Sequence, residues 1–206
     1  MFVRIRPLFP AWLMVCLSAI CVDGQVNSTK GSWLDRQPMK WNMSDGQVTP
    51  IPWATEVENS NLQSATCSRQ VRQPGNTAEA DVAKHGWKLY GDAPTGGATT
   101  VVLGMTDADG MCRPLGYQAF VFVNGRFAGT LSPLPMNSRT DGALSTVHFA
   151  GSDGLTADFL RYKETDPLCC PSSTSTVEYK IPNDKVSALE VVKVTTRSNS
   201  QPASSK

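Results

Sequence analysis

The stretch YQAFVFVNGRFAGTLS, residues 117–132, decides how this chain folds. Two β-rich runs flank the dipeptide Asn124-Gly125. A two-residue type I′ hairpin needs φ > 0 at both central positions, which Asn and Gly tolerate best. In the first run Tyr117, Ala119, Val121 and Val123 share one face, and Gln118, Phe120 and Phe122 share the other. Both faces are mostly apolar, which predicts a central strand covered on both sides.

The signals on either side of the hairpin are also those of strands. Residues 87–90 and the β-branched run 98–105 precede it; runs at 144–150, 155–162, 174–181 and 186–196 follow. In the run 155–162, Leu155, Ala157 and Phe159 alternate with Thr156 and Asp158, the half-solvated pattern of an antiparallel strand. Val177, Tyr179 and Ile181 alternate in the same way with Thr176, Glu178 and Lys180. About eight short strands with turns between them predict a mainly β fold, an antiparallel β-sandwich or strongly curved sheet. One short N-terminal helix is expected as well. Asn76-Thr77-Ala78-Glu79 has the form of a capping box, and His85-Gly86 closes the run. The small side chains Ala78, Ala80, Val82 and Ala83 would let that helix lie close to a sheet.

The first 24 residues read as a secretion signal. Arg4 and Arg6 form a basic start, residues 8–21 a mostly apolar run, and the cut is placed after Gly24. The apolar run is shorter than the ~20 residues of a membrane span, so no transmembrane segment is expected in the processed chain. Removing 24 of the 206 residues leaves 182, enough for one domain with flexible ends. The division expected is a polar, largely extended or disordered segment over 25–75, a β domain over 76–196 and a disordered tail over 197–206. Arg4, Arg6 and Asp23 leave with the leader, so 19 cationic and 18 anionic side chains become 17 of each. That balance excludes a general binder of nucleic-acid phosphates, which needs a basic surface.

Cysteine use agrees with export. Cys67, Cys112, Cys169 and Cys170 remain after processing, an even number that reads as two disulfides. A Cys169–Cys170 bond would close a strained ring across one peptide bond. The expectation is therefore that Cys67 and Cys112 each join one of the adjacent pair. There is no C-x-x-C, and neither His lies near a Cys in sequence, so no metal and no cofactor is predicted.

At YQAFVFVNGRFAGTLSP an apolar strand, an N-G-R-F turn, a G-T pair and a loop follow a Cys a few residues upstream. This arrangement resembles the LppP/LprE family of bacterial envelope lipoproteins. The likeness would span roughly residues 77–181, the usual size of one domain. The resemblance implies an exported bacterial protein of unassigned function and supplies no catalytic residues. A lipoprotein signal places Gly, Ala or Ser before the modified Cys. Here Ile20 precedes Cys21 and Val15 precedes Cys16, a departure that argues against a lipid anchor.

No catalytic pattern stands out. His85 and His148 are the two histidines, one ending the helix and one on a strand opposite Val147 and Phe149. Neither G-x-S-x-G nor H-E-x-x-H occurs. Asp107-Ala108-Asp109-Gly110 lacks the further ligands of a calcium loop and reads as a turn. The loop 133–142 is longer than most hairpin connections, and such loops often carry function. Its Met136, Asn137, Arg139 and Asp141 are the candidate binding residues, with Arg139 able to grip an anion or simply pair with Asp141. Trp33, Trp41 and Trp53 offer a second surface: they either lie back on the domain as a strap or dock a partner. Asn27-Ser28-Thr29 and Asn42-Met43-Ser44 match the glycosylation acceptor pattern. The leading functional reading is a non-catalytic binding module, secreted or held in the periplasm or cell envelope, with a protein or envelope partner at one of these surfaces. A small secreted hydrolase dependent on His148 and a purely structural envelope component are the alternatives.

Overall fold

The Asn124-Gly125 dipeptide makes the turn its sequence predicts. Asn124 has φ of 50° and Gly125 of 74°, and Val123 faces Arg126 across them. The computed structural model describes residues 31–36, 40–151, 154–181 and 188–199, all within a unit of residues 31–206. The leader, its cut after Gly24, Asn27 and the last residues of the tail lie outside the described residues.

The strands in chain order are β1 (Met43–Ser44), β2 (Gln47–Val48), β3 (Lys88–Leu89), β4 (Thr95–Gly96), β5 (Thr99–Met105), β6 (Asp107–Ala108), β7 (Pro114–Leu115), β8 (Gln118–Val123), β9 (Arg126–Thr130), β10 (Ala143–Ala150), β11 (Gly154–Arg161), β12 (Ser173–Lys180) and β13 (Glu190–Ser198). The helix α1 (Thr77–Lys84) lies between β2 and β3. Strands β3-β5-β8-β9 form one antiparallel sheet, with β4 added to β5. Strands β10-β11-β12-β13 form a second as a simple meander. β1–β2 and β6–β7 are small separate ribbons. Among the described residues the fold is thus mainly β, with antiparallel pairing and one short α-helix.

Strand β8 is covered on both faces, as its two-sided apolar pattern requires. Ala119 and Val121 pack with Val101 of β5 and with Leu155, Ala157, Phe159, Val177 and Tyr179 of the second sheet. Phe120 and Phe122 point the other way, into a second core with Val82 of α1, Trp87 and Ile51. Phe120 and Phe122 are fully buried, and each such ring contributes roughly 1.5–3 kcal/mol. The second sheet is solvated on its far side: Leu155, Ala157 and Phe159 are buried while Thr156 and Asp158 are partly exposed.

Helix α1 begins where the capping pattern places it, with one departure. Asn76 Oδ1 accepts from the Glu79 backbone N–H at 3.0 Å. The Glu79 carboxylate reaches past Asn76 to the backbone N–H of Gly75, at 2.6 Å. It also pairs with Arg72 at 2.8 Å, and Arg72 Nε donates to the Gly91 carbonyl at 2.6 Å. One buried acid therefore joins the helix start to the segment before it.

Much of the stretch that the sequence reads as extended or disordered lies on the sheets as a strap. Leu34, Asn42, Ile51, Leu62 and Cys67 are buried. Trp33 packs edge-on against Trp41 and Phe159, at 5.3 and 5.1 Å between ring centres. The Asn42 side chain is the strap's polar anchor. Its Nδ2 donates to the carbonyls of Thr130 and Leu189, both at 3.1 Å, and its Oδ1 accepts from the Thr130 N–H at 2.8 Å. A glycan on Asn42 is incompatible with these bonds.

The disulfide expectation is corrected. Cys67 joins Cys112, with Cα atoms 5.1 Å apart, inside the normal range. Cys169 joins Cys170 across their shared peptide bond. The expectation assumed an extended segment, in which neighbouring side chains diverge. Residues 167–170 instead form a turn, closed by the Cys170 N–H on the Pro167 carbonyl at 2.9 Å.

Asn42→Ala removes an acceptor from the buried Thr130 N–H and two donors from buried carbonyls. Loss of about 2–3 kcal/mol is expected, read as a lower urea midpoint with an unchanged slope.

Candidate binding cleft

In the loop 133–142 Met136 is buried, while Asn137, Arg139 and Asp141 are exposed but bonded to the fold. Met136 is 6% exposed and exchanges backbone hydrogen bonds with Tyr117, at 2.7 and 2.8 Å. Asn137 Oδ1 accepts from the Gly116 N–H at 2.7 Å. Asp141 does not pair with Arg139. It takes Arg161 Nε at 2.7 Å, while the same guanidinium holds Asp35 at 2.8 and 3.0 Å. Arg139 reaches over the neighbouring loop to the Leu168 carbonyl, at 3.1 Å. The cleft beside Arg161 holds about 240 Å³, and its two acids and one Arg satisfy one another.

The turn at 107–110 is likewise occupied. Asp107 Oδ1 accepts from the Ser60 hydroxyl at 2.7 Å and the Asn61 N–H at 2.8 Å. Asp109 takes the backbone N–H groups of Met111 and Arg113, both at 2.9 Å, and Arg113 Nε at 2.6 Å. Among the described residues no group of three acidic, His or Cys side chains is placed to hold a metal. His148 is exposed on β10, with Nε2 3.9 Å from the Asp158 carboxylate.

A larger cleft, of about 680 Å³, opens where the strap passes the end of α1. Two backbone ties fix its wall: Trp87 Nε1 donates to the Pro52 carbonyl at 2.7 Å, and the Ala54 N–H donates to the His85 carbonyl at 2.9 Å. Trp53 lies between those ties and is 71% exposed. Its ring sits 4.7 Å from the His85 imidazole, the planes tilted by 46°. His85 is held in turn by Nδ1 against the Asp81 carbonyl, at 2.7 Å. Glu56, Gln63, Gln73 and Lys88 line the same opening and lie exposed. The three tryptophans that the sequence grouped thus separate: Trp33 and Trp41 close the core, and Trp53 faces solvent. Pro50 and Pro52 before Trp53 were the available sign, since prolines keep the backbone extended and deny it a strand partner.

Comparison with known proteins bears on the β core. Residues 94–184 match the LppP/LprE lipoprotein family. The resemblance read at the hairpin is shown, and the match begins later than the hairpin alone suggested. The LppP/LprE region runs from just before β4 to beyond β12 and contains Cys112, Cys169 and Cys170. The strap, α1 and β3 precede it. Apart from Thr106, the residues lining the Trp53 cleft belong to that preceding segment. No curated protein and no solved structure matches the chain.

Three hydrogen-bonded acids set an acid limit on the fold. The Arg72 hydrogen bond holds the Glu79 carboxyl below its usual pKa, against the opposing effect of burial. Burial alone would raise Asp107 and Asp109. The Ser60 hydroxyl and neighbouring N–H groups outweigh it at Asp107, and the Arg113 and Met111 contacts do so at Asp109, so both are lowered. A depressed folded pKa gives stability that is complete above the unfolded value and is lost as pH falls through the folded one. Stability should therefore be flat above pH about 5 and decline below about 4. Glu79→Gln is expected to cost about 1.5–3 kcal/mol at neutral pH and to flatten that decline, measured as urea midpoints across pH.

Proposed function

We propose that the chain is a non-catalytic binding module of the bacterial cell envelope, and that it binds through the Trp53 cleft. The family match supports an envelope lipoprotein of unassigned function; the binding role is the finer reading. The observation that carries it is the exposed indole on a pinned backbone, beside polar groups with no internal partner. An exposed Trp forgoes the burial of ~150–250 Å² of ring surface, and aromatic anchors of this kind dominate binding interfaces. The 133–142 loop makes a poorer site, because its Met136, Asn137 and Asp141 already serve the fold.

Processing after Gly24, without lipid on Cys21, is the proposed route to the envelope. The intact mass of protein from its native host, reduced and unreduced, should show cleavage there, no acyl chain and two disulfides. Binding is tested with the labelled, processed chain on isolated envelope fractions. Saturable binding is expected, weakened about thirtyfold by Trp53→Ala and unchanged by Arg139→Ala. Non-saturable partition, or binding that ignores Trp53→Ala, would defeat the reading.

A further inference from the structure

We infer that the Trp53 cleft takes a neutral oligosaccharide; this deepens the binding reading above and rests on it. The cleft's apolar lining comprises Ala54, Val57, Leu62 and Val71, set low in the wall, and the Trp53 ring, which alone of these is strongly exposed, at 71%, and is backed by His85 at 4.7 Å. Its polar part is two carboxamides, one carboxylate and one ammonium: Gln63, Gln73, Glu56 and Lys88. Among the described residues, no side-chain hydrogen bond or ion pair engages these four.

Each class of ligand asks something different of such a surface. A phosphate or polyanion needs clustered cations, and here a single Lys88 stands with Glu56 as its counterweight. An acyl chain would strip water from four polar side chains and return nothing to them. A pyranose ring presents a face of C–H groups and an edge of hydroxyls. The face suits an indole, whose π surface carries partial negative charge. The hydroxyls both donate and accept, which matches carboxamides that do the same. The cleft volume of about 680 Å³ falls in the range of small-ligand sites and accommodates a short oligomer. The ties at Pro52 and Ala54 hold the strap on both sides of Trp53, so little backbone entropy is lost on binding.

The test uses the full processed chain and a panel of neutral tetrasaccharides of glucose, N-acetylglucosamine and mannose, in α and β linkages. A galacturonic acid tetramer and a polyproline peptide serve as the anionic and peptide comparators. Titration calorimetry and tryptophan fluorescence are the readouts. The expected result is saturable binding of at least one neutral sugar, weakened about tenfold or more by Trp53→Ala and partly restored by Trp53→Tyr. Gln73→Ala, remote from the core, should weaken it with an unchanged thermal midpoint. No neutral sugar bound at about millimolar affinity, binding indifferent to Trp53→Ala, or a preference for the acidic tetramer or the peptide would each overturn the inference. If sugars fail while envelope binding still depends on Trp53, the saccharide falls and the binding module stands. If Trp53→Ala leaves envelope binding intact as well, both fall.

Discussion

The structure depends on one buried carboxamide. Asn42 stands 88 residues from Thr130 and 147 from Leu189, and its side chain holds both. It joins the strap, the end of the hairpin and the segment leading into β13. A buried amide left without partners is costly, so its bonds to Thr130 and Leu189 must be made together. Gly129 is part of the same arrangement. It has φ of +141° on the bulged side of the hairpin, and a Cβ there would lie 2.3 Å from the Asn42 side chain. Asn42 thus fixes both the course of the strap and the identity of a residue in β9.

The two cores around β8 have separate roles. The one shared with the second sheet is built from aliphatic and aromatic side chains that alternate along each strand. The one beneath α1 contains Trp87, whose ring stacks edge-on with Phe120 at 5.1 Å while its Nε1 carries the strap at Pro52. Packing at the centre of the sheet therefore reaches the cleft through Trp87, and through Ala54, which packs against the same core and lines the opening. The Cys67–Cys112 bond closes the other end of the same region, tying the strap to the turn after β6.

What could be read from the sequence is what depends on near neighbours. The Asn-Gly turn, the alternation in β11 and β12, and the Asn76 cap are all decided within a few residues, and each formed where expected. The strap is one of the two readings the tryptophans allow, but its anchors are not legible, because Asn42 and Asp35 find their partners more than 80 residues away. Cysteine spacing failed for a related reason: it records neither the turn at 167–170 nor the approach of Cys67 to the β6–β7 ribbon. In the 133–142 loop the sequence shows which groups are polar, but polarity does not reveal that Asn137 accepts from the Gly116 N–H or that Asp141 pairs with Arg161. Trp53 was noticed only as one of three tryptophans, and nothing local except its two prolines separates it from Trp33 and Trp41.

The distances in sequence spanned by the strap also govern when it can take shape. A ribosome releases Trp33, Trp41 and Asn42 well before Thr130, Phe159 and Leu189 have been made. Closing loops of that length is slow and entropically expensive. The amino-terminal third must therefore wait, with its indoles bare, until almost the whole polypeptide has emerged. The strap is made before the strands it packs on and settles only after them, which makes that interval a period in which this protein needs protection from aggregation.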